Sequence, residues 1–161
     1  MPVTADILAT WRGPGTVMRR HLAQGLSEPR ILAWAMGGCA LLFVANLPAL
    51  ARKAHLDGVA LDMLMGGALL SIIFFLPLIL YALALLVAGV ARVVGRPVGG
   101  AASRAALFWA LLAASPLVLL NGLVAGLIGP GPALTLVGAL WFAAFLWFWL
   151  AGLRAAAQVQ G

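Results

Sequence analysis

Residues 105–153 read AALFWALLAASPLVLLNGLVAGLIGPGPALTLVGALWFAAFLWFWLAGL, and no Asp, Glu, Lys, Arg or His occurs among these 49 positions. A hydrocarbon core roughly 30 Å thick takes about 20 helical residues, so the stretch is long enough for two crossings. Gly129-Pro130-Gly131-Pro132 interrupts it near the middle. Alternating Gly and Pro cannot continue a helix and favour a tight turn. The stretch therefore predicts two transmembrane helices, 105–128 and 133–153. The alternative is three spans with a re-entrant segment near 126–134, whose non-helical backbone would need protein cover.

Two further charge-free windows lie upstream. Residues 31–51, between Arg30 and Arg52, are 21 positions long and predict one crossing. Residues 63–91, between Asp62 and Arg92, are 29 positions long. They predict one tilted or kinked helix over 65–90, with Pro77 near its middle. A membrane helix tolerates the lost backbone donor of proline by bending against its neighbours. The expected fold class is thus all-α. It is a polytopic membrane bundle of four transmembrane helices (residues 31–161) behind a cytoplasmic amphipathic and basic segment (residues 1–30).

Composition supports that class. Of 161 residues, 65% are hydrophobic and 9% charged, and mean hydropathy is +1.11. Soluble domains average about 45–50% apolar and about 25% charged residues. Too little polar surface exists here to wrap a water-soluble enzyme. The net charge is +6, but the basic residues flank apolar segments, which fits membrane topology and anionic headgroups better than nucleic acid. Cys39 is the single cysteine and lies in an apolar run, so neither an internal disulfide nor a metal site is expected. No short apolar segment with a small-residue cleavage site precedes the early charges, so no cleaved signal peptide is expected.

Orientation follows from the basic residues. Arg12, Arg19, Arg20, Arg30, Arg92, Arg96, Arg104 and Arg154 share one side of a four-span protein, and only Arg52 and Lys53 fall on the other. The positive-inside rule places both termini in the cytoplasm. Trp34, Trp109, Trp147 and Trp149 map near the same face, where amphipathic rings prefer the lipid interface. Trp141 falls deeper, and the Trp- and Phe-rich run around it reads as lipid contact.

In the N-terminal segment Val3, Ile7 and Trp11 recur every four residues, with Leu8 beside them. Gly13-Pro14-Gly15 interrupts, and a second short stretch follows with Val17, Met18, Leu22 and Leu26 apolar and Arg19 and Arg20 polar. Two short interfacial helices are predicted on the cytoplasmic leaflet. Trp11 would sit in the interface, and Arg12, Arg19 and Arg20 would face lipid phosphates, each worth about 1 kcal/mol near an anionic surface. His21 is expected to be exposed on this basic face.

The charge-free windows contain no group suited to proton relay, haem ligation or metal-dependent proteolysis. No Walker motif, HExxH or Ser/His/Asp set occurs. The few acid–base candidates, His55, Asp57 and Asp62, fall on the outer side. No enzymatic activity and no cofactor are expected. Asn46, Ser71 and Asn121 fall at a common depth, about 6–9 Å from their span centres at 1.5 Å per residue. They read either as interhelical hydrogen bonders or as a small polar site with Asp62 at its mouth. Gly122 and Gly126 form a GxxxG pair suited to close helix packing.

The order of features resembles the YIP (Ypt-interacting protein) family of multi-pass membrane proteins. The resemblance lies in Trp11-Arg12-Gly13-Pro14, Arg30 leading into the first span, and the Pro77-containing second span. It continues in Ala113-Ala114-Ser115-Pro116-Leu117, and from Asn121-Gly122 through Gly129-Pro130-Gly131-Pro132 to the aromatic last helix. Family members usually have about five hydrophobic segments, against four here. Of the Asp-Leu-Tyr-Gly-Pro motif of eukaryotic relatives only Gly13-Pro14 is matched, so their small-GTPase and trafficking roles are not carried over. The resemblance implies a non-enzymatic inner-membrane protein. The expected partners are membrane lipids and a membrane protein complex or a second copy of the chain, with no nucleic acid. The competing expectation is a small-solute transporter or channel subunit using the polar layer.

Overall fold

A computed structural model describes residues 3–95 and 98–160, with the side chain of residue 160 left aside. Arg96, counted above among the basic residues, lies outside the described residues. Within them the chain is helical with no strand: α1 (Val3–Arg12), α2 (Pro14–Ala23), α3 (Glu28–Asp57), α4 (Leu61–Leu69), a π-helical turn (Leu70–Phe75), α5 (Leu76–Val93), α6 (Gly100–Ala113), α7 (Ser115–Leu127) and α8 (Pro132–Gln160).

Three helical stretches are long and apolar enough to cross a membrane: Glu28–Asp57, Leu61–Val93 and Pro132–Val159. A fourth exists if α6 and α7, bent by 46° at their junction, count as one crossing. The helices outrun the charge-free windows. α3 continues past Arg52 and Lys53 until Gly58, whose φ of +65° closes it in the left-handed conformation. α8 likewise runs past Arg154. A charged side chain does not break the backbone ladder.

The two mid-window prolines have different outcomes. Directly before Pro77 the backbone widens into the π-helical turn, and the helix then resumes as α5. Such a turn inserts an extra residue into the ladder, which relieves the clash and the missing donor at proline. At Pro116 the helix breaks, so the continuous helix expected over 105–128 is corrected to α6, beginning at Gly100, and α7. Leu117 N–H would serve the Ala113 carbonyl in an unbroken helix, but bonds instead to Ala114 O at 3.1 Å. The freed Ala113 carbonyl accepts the indole N–H of Trp11 at 3.2 Å. A buried carbonyl without such a donor would cost free energy.

α6 is the centre of the molecule. Every residue from 105 to 115 is buried, and α3, α5, α8 and α1 all pack on it. Its run of Ala and Ser lets these neighbours approach closely. α3 and α7 are held together by the GxxxG pair. A Cβ on Gly122 would lie 2.6 Å from the Ala45 carbonyl carbon, and one on Gly126 2.7 Å from that of Pro48. Around the outside, Phe74, Phe75, Leu78, Ile79, Leu85, Leu86, Leu136 and Leu140 form an exposed apolar perimeter.

The two N-terminal helices form as expected, and their buried residues face protein. They dock on the end of the bundle through Asp6, Thr10, Val17, Met18 and His21, all buried. Leu8 is 71% exposed, so it is not on the packed face. α2 lies against α8, where Gly152 leaves room for the Met18 side chain. Burying Met18 and Val17 against protein removes apolar area from water without any lipid.

Candidate functional site

The N-terminal helices close over a pocket of about 300 Å³ lined by Val3, Asp6, Arg20, His21, Gln24, Arg30, Trp34 and Trp109. Four elements supply it. α1 brings Asp6, α2 brings Arg20 and His21, the first turn of α3 brings Arg30 and then Trp34, and α6 brings Trp109. It gathers acidic, basic and imidazole side chains beside a bundle whose buried residues are mostly apolar.

His21 is the centre of the site. Its ring lies 4.9 Å from Trp34 and 4.6 Å from Trp109, and those indoles lie 5.0 Å from each other. Such tilted aromatic contacts add to the burial of the rings. Only 4% of His21 is exposed, and neither ring nitrogen has a hydrogen-bond partner. Its Nε2 faces Asp6 Oδ2 at 3.8 Å. Burial pushes the imidazole pKa below the ordinary 6.5. The Asp6 carboxylate opposes that shift, and Arg20 and Arg30 reinforce it. His21 is therefore neutral at pH 7.

The surrounding groups are fixed in place. Asp6 is ion-paired with Arg20. The Asp6 main-chain carbonyl accepts the Thr10 hydroxyl at 2.7 Å, and that oxygen accepts the Trp109 indole N–H at 3.1 Å. Arg30 lines the pocket from an exposed position. Nearby, Arg104 pairs with Glu28 and lies 5.9 Å over the Tyr81 ring, tying α6 to α3 and α5.

Several sequence expectations change here. Trp34 and Trp109 are buried walls of the pocket instead of lipid-interface anchors, because docking of α1 and α2 covers them. His21 is buried, not exposed, for the same reason. Trp11 caps the broken α6 and packs edge-on against Phe148 at 5.0 Å. Trp149 is half-buried beside Phe145, and Trp147 is the exposed ring of the expected belt. Arg12 and Arg19 are exposed, Arg19 donating to Thr16 Oγ1 at 3.3 Å. Arg20 is turned into the pocket.

The polar layer does not assemble. Asn46 donates to Leu42 O at 2.9 Å and Ser71 to Gly67 O at 2.9 Å, each on its own helix and each exposed. Asn121 lies between α7 and α8, facing Gly138, and no hydrogen bond links any two of the three. Gly122 and Gly126 pack α7 against α3 within the chain. Arg52 reaches across to Gly126 O at 3.4 Å, placing its cation at the C-terminal end of α7.

Asp6, Thr10 and His21 were the residues whose role the sequence reading missed. A signal existed: Asp6 and Thr10 are four apart, and Val17, Met18 and His21 follow helical spacing. No protein-family model, curated protein or solved structure matches the chain, so its site is argued from its own geometry.

Proposed function

We propose that the protein is a non-enzymatic, multi-pass scaffold or accessory protein of a bacterial inner membrane, YIP-like in organisation. It contacts lipid through its apolar perimeter and a membrane protein complex through its ends. The observation that carries this reading is the segregation of charge. Residues 31–51, 63–91 and 105–153 hold no Asp, Glu, Lys, Arg or His, whereas Asp6, Arg20, His21, Glu28, Arg30 and Arg104 gather at one end. Ions and protons crossing hydrocarbon generally need ionisable or closely arranged polar groups along the way. Both termini in the cytoplasm follow if this richly basic end faces inward.

The transporter reading has less support, since Asn46 and Ser71 bond back to their own helices. Affinity purification of the full chain in mild detergent, followed by mass spectrometry against an untagged control, tests the proposal. A stoichiometric partner is expected. A solitary chain that moves solute across liposomes overturns it.

A further inference from the structure

The pocket between α1, α2, α3 and α6 has features that packing alone does not require. A well-packed bundle end needs no buried histidine whose ring nitrogens make no hydrogen bond and whose nearest charged neighbour, Asp6 Oδ2, stands 3.8 Å from Nε2. Leaving buried polar atoms without hydrogen bonds is costly, and such a group in a native fold calls for a ligand or a function. Here the orphaned ring, nine-tenths buried, lines a pocket with room beside it. With His21 neutral, Arg20 and Arg30 against Asp6 leave the lining with one net positive charge. A volume near 300 Å³ falls at the lower limit for ligand sites, which suits a small charged group.

We propose that this pocket binds a phosphate group, carried by an anionic phospholipid headgroup or by a small soluble phosphate ester. Arg30 is the ligating side chain; the His21 imidazole lies in the wall with its nitrogens closed off from the open volume, close enough to sense the charge of a bound anion, and Trp34 and Trp109 are the other walls. Arg30 enters from the first turn of the first long apolar helix, where a headgroup phosphate would lie, and guanidinium groups match phosphate oxygens well. Trp109 is already committed to Thr10, and Arg20 is paired with Asp6. The indole wall therefore stays rigid, and the carboxylate is neutralised before an anion arrives. The lipid source rests on the membrane reading above; the phosphate chemistry does not depend on any protein partner.

The site also has a pH signature. The groups facing His21 are Asp6 from α1, Arg20 from its own helix and Arg30 from α3, and α6 faces it with Trp109. A bound anion favours the imidazolium, so phosphate binding takes up a proton. Affinity for a phosphodiester, whose own charge is constant there, rises as pH falls from neutrality through the depressed pKa of His21.

The test uses the full chain in a nonionic detergent and isothermal titration with dihexanoyl-phosphatidylglycerol, glycerol 1-phosphate and dihexanoylglycerol. Saturable binding of at least one phosphate compound is expected, with dihexanoylglycerol not binding. Binding of the lipid alone assigns the headgroup as the source, and binding of both phosphates assigns the ester. Arg30→Gln, at an exposed position, should weaken binding by roughly tenfold, as for loss of a charge-assisted hydrogen bond. His21→Phe keeps an aromatic ring between the tryptophans and should flatten the pH profile. No saturable binding, equal binding of dihexanoylglycerol, or unchanged affinity and pH profile in both variants overturns the proposal. Co-purification of a partner is a separate measurement, so failure of either reading leaves the other standing.

Discussion

The stretch Leu61–Val93 and the pair α6–α7 begin from nearly the same material. Each is apolar, each lacks Asp, Glu, Lys, Arg and His through its middle, and each carries one central proline. The first remains one long helical run, and its α5 portion buries only Pro77, Leu80 and Ala84. The second bends by 46° and places α6 at the centre of the molecule. The difference lies in side-chain size and in neighbours. α5 is rich in Leu and turns Leu78, Leu85 and Leu86 outward; α6 is rich in Ala and lets other helices close around it. Glycines follow the same division. Nothing lies within 4 Å of a Cβ built on Gly66, Gly67 or Gly89, whereas Gly122 and Gly126 meet the backbone of α3. Hydropathy is the same quantity toward lipid and toward protein; packing separates the two.

Paired substitutions break that comparison most directly. Gly122→Ala should be the most damaging, because its Cβ would overlap the Ala45 carbonyl of α3. A loss of about 3 kcal/mol, at the upper end for overpacking, is expected where the obstructing atoms are rigid backbone, read as a large drop of thermal stability in detergent. Gly89→Ala, facing open space, should be neutral or stabilising by up to about 1 kcal/mol. Equal effects at the two positions would erase the distinction.

Leu107→Ala comes next. Leu107 is fully buried in α6, and its truncation should cost about 2–5 kcal/mol. Leu86→Ala, on the exposed side of α5, should change the midpoint of unfolding little, within about 0.5 kcal/mol.

Trp11→Phe sharpens the contrast between the two prolines. It keeps an aromatic ring against Phe148 and removes the donor to Ala113 O. A loss of about 1–3 kcal/mol is expected for a buried carbonyl left unpaired. Hydrogen exchange should rise around residues 113–117 and stay unchanged around Pro77.

The smallest effect is on pH. The folded-state pKa of His21 lies below its unfolded value, so the unfolded chain takes up its proton first. Stability is full above about pH 6.5 and falls as pH drops below it toward the depressed folded value. His21→Phe should remove that slope from a thermal-unfolding series, and a bound phosphate should offset it.

Much of the fold was legible in residue order. Charge-free windows marked where the long apolar helices lie, and Gly129-Pro130-Gly131-Pro132 marked the turn before α8. The doublet Gly13-Pro14 separated the two N-terminal helices. These features depend on local backbone chemistry and on composition over about 20 residues, so neighbours in space were not needed.

The candidate site was not legible in the same way. Val3, Ile7 and Trp11 formed the visible apolar stripe of α1, yet Asp6 and Thr10 are on the buried face. His21 looked like one more member of a basic surface until Trp34 and Trp109, distant in sequence, enclosed it. Which apolar helix is core, which tryptophan caps a broken helix and which histidine is sealed from water all depend on contacts between residues tens of positions apart. Those are set by the shapes of several helices fitting together at once, and no periodicity within a single helix records them.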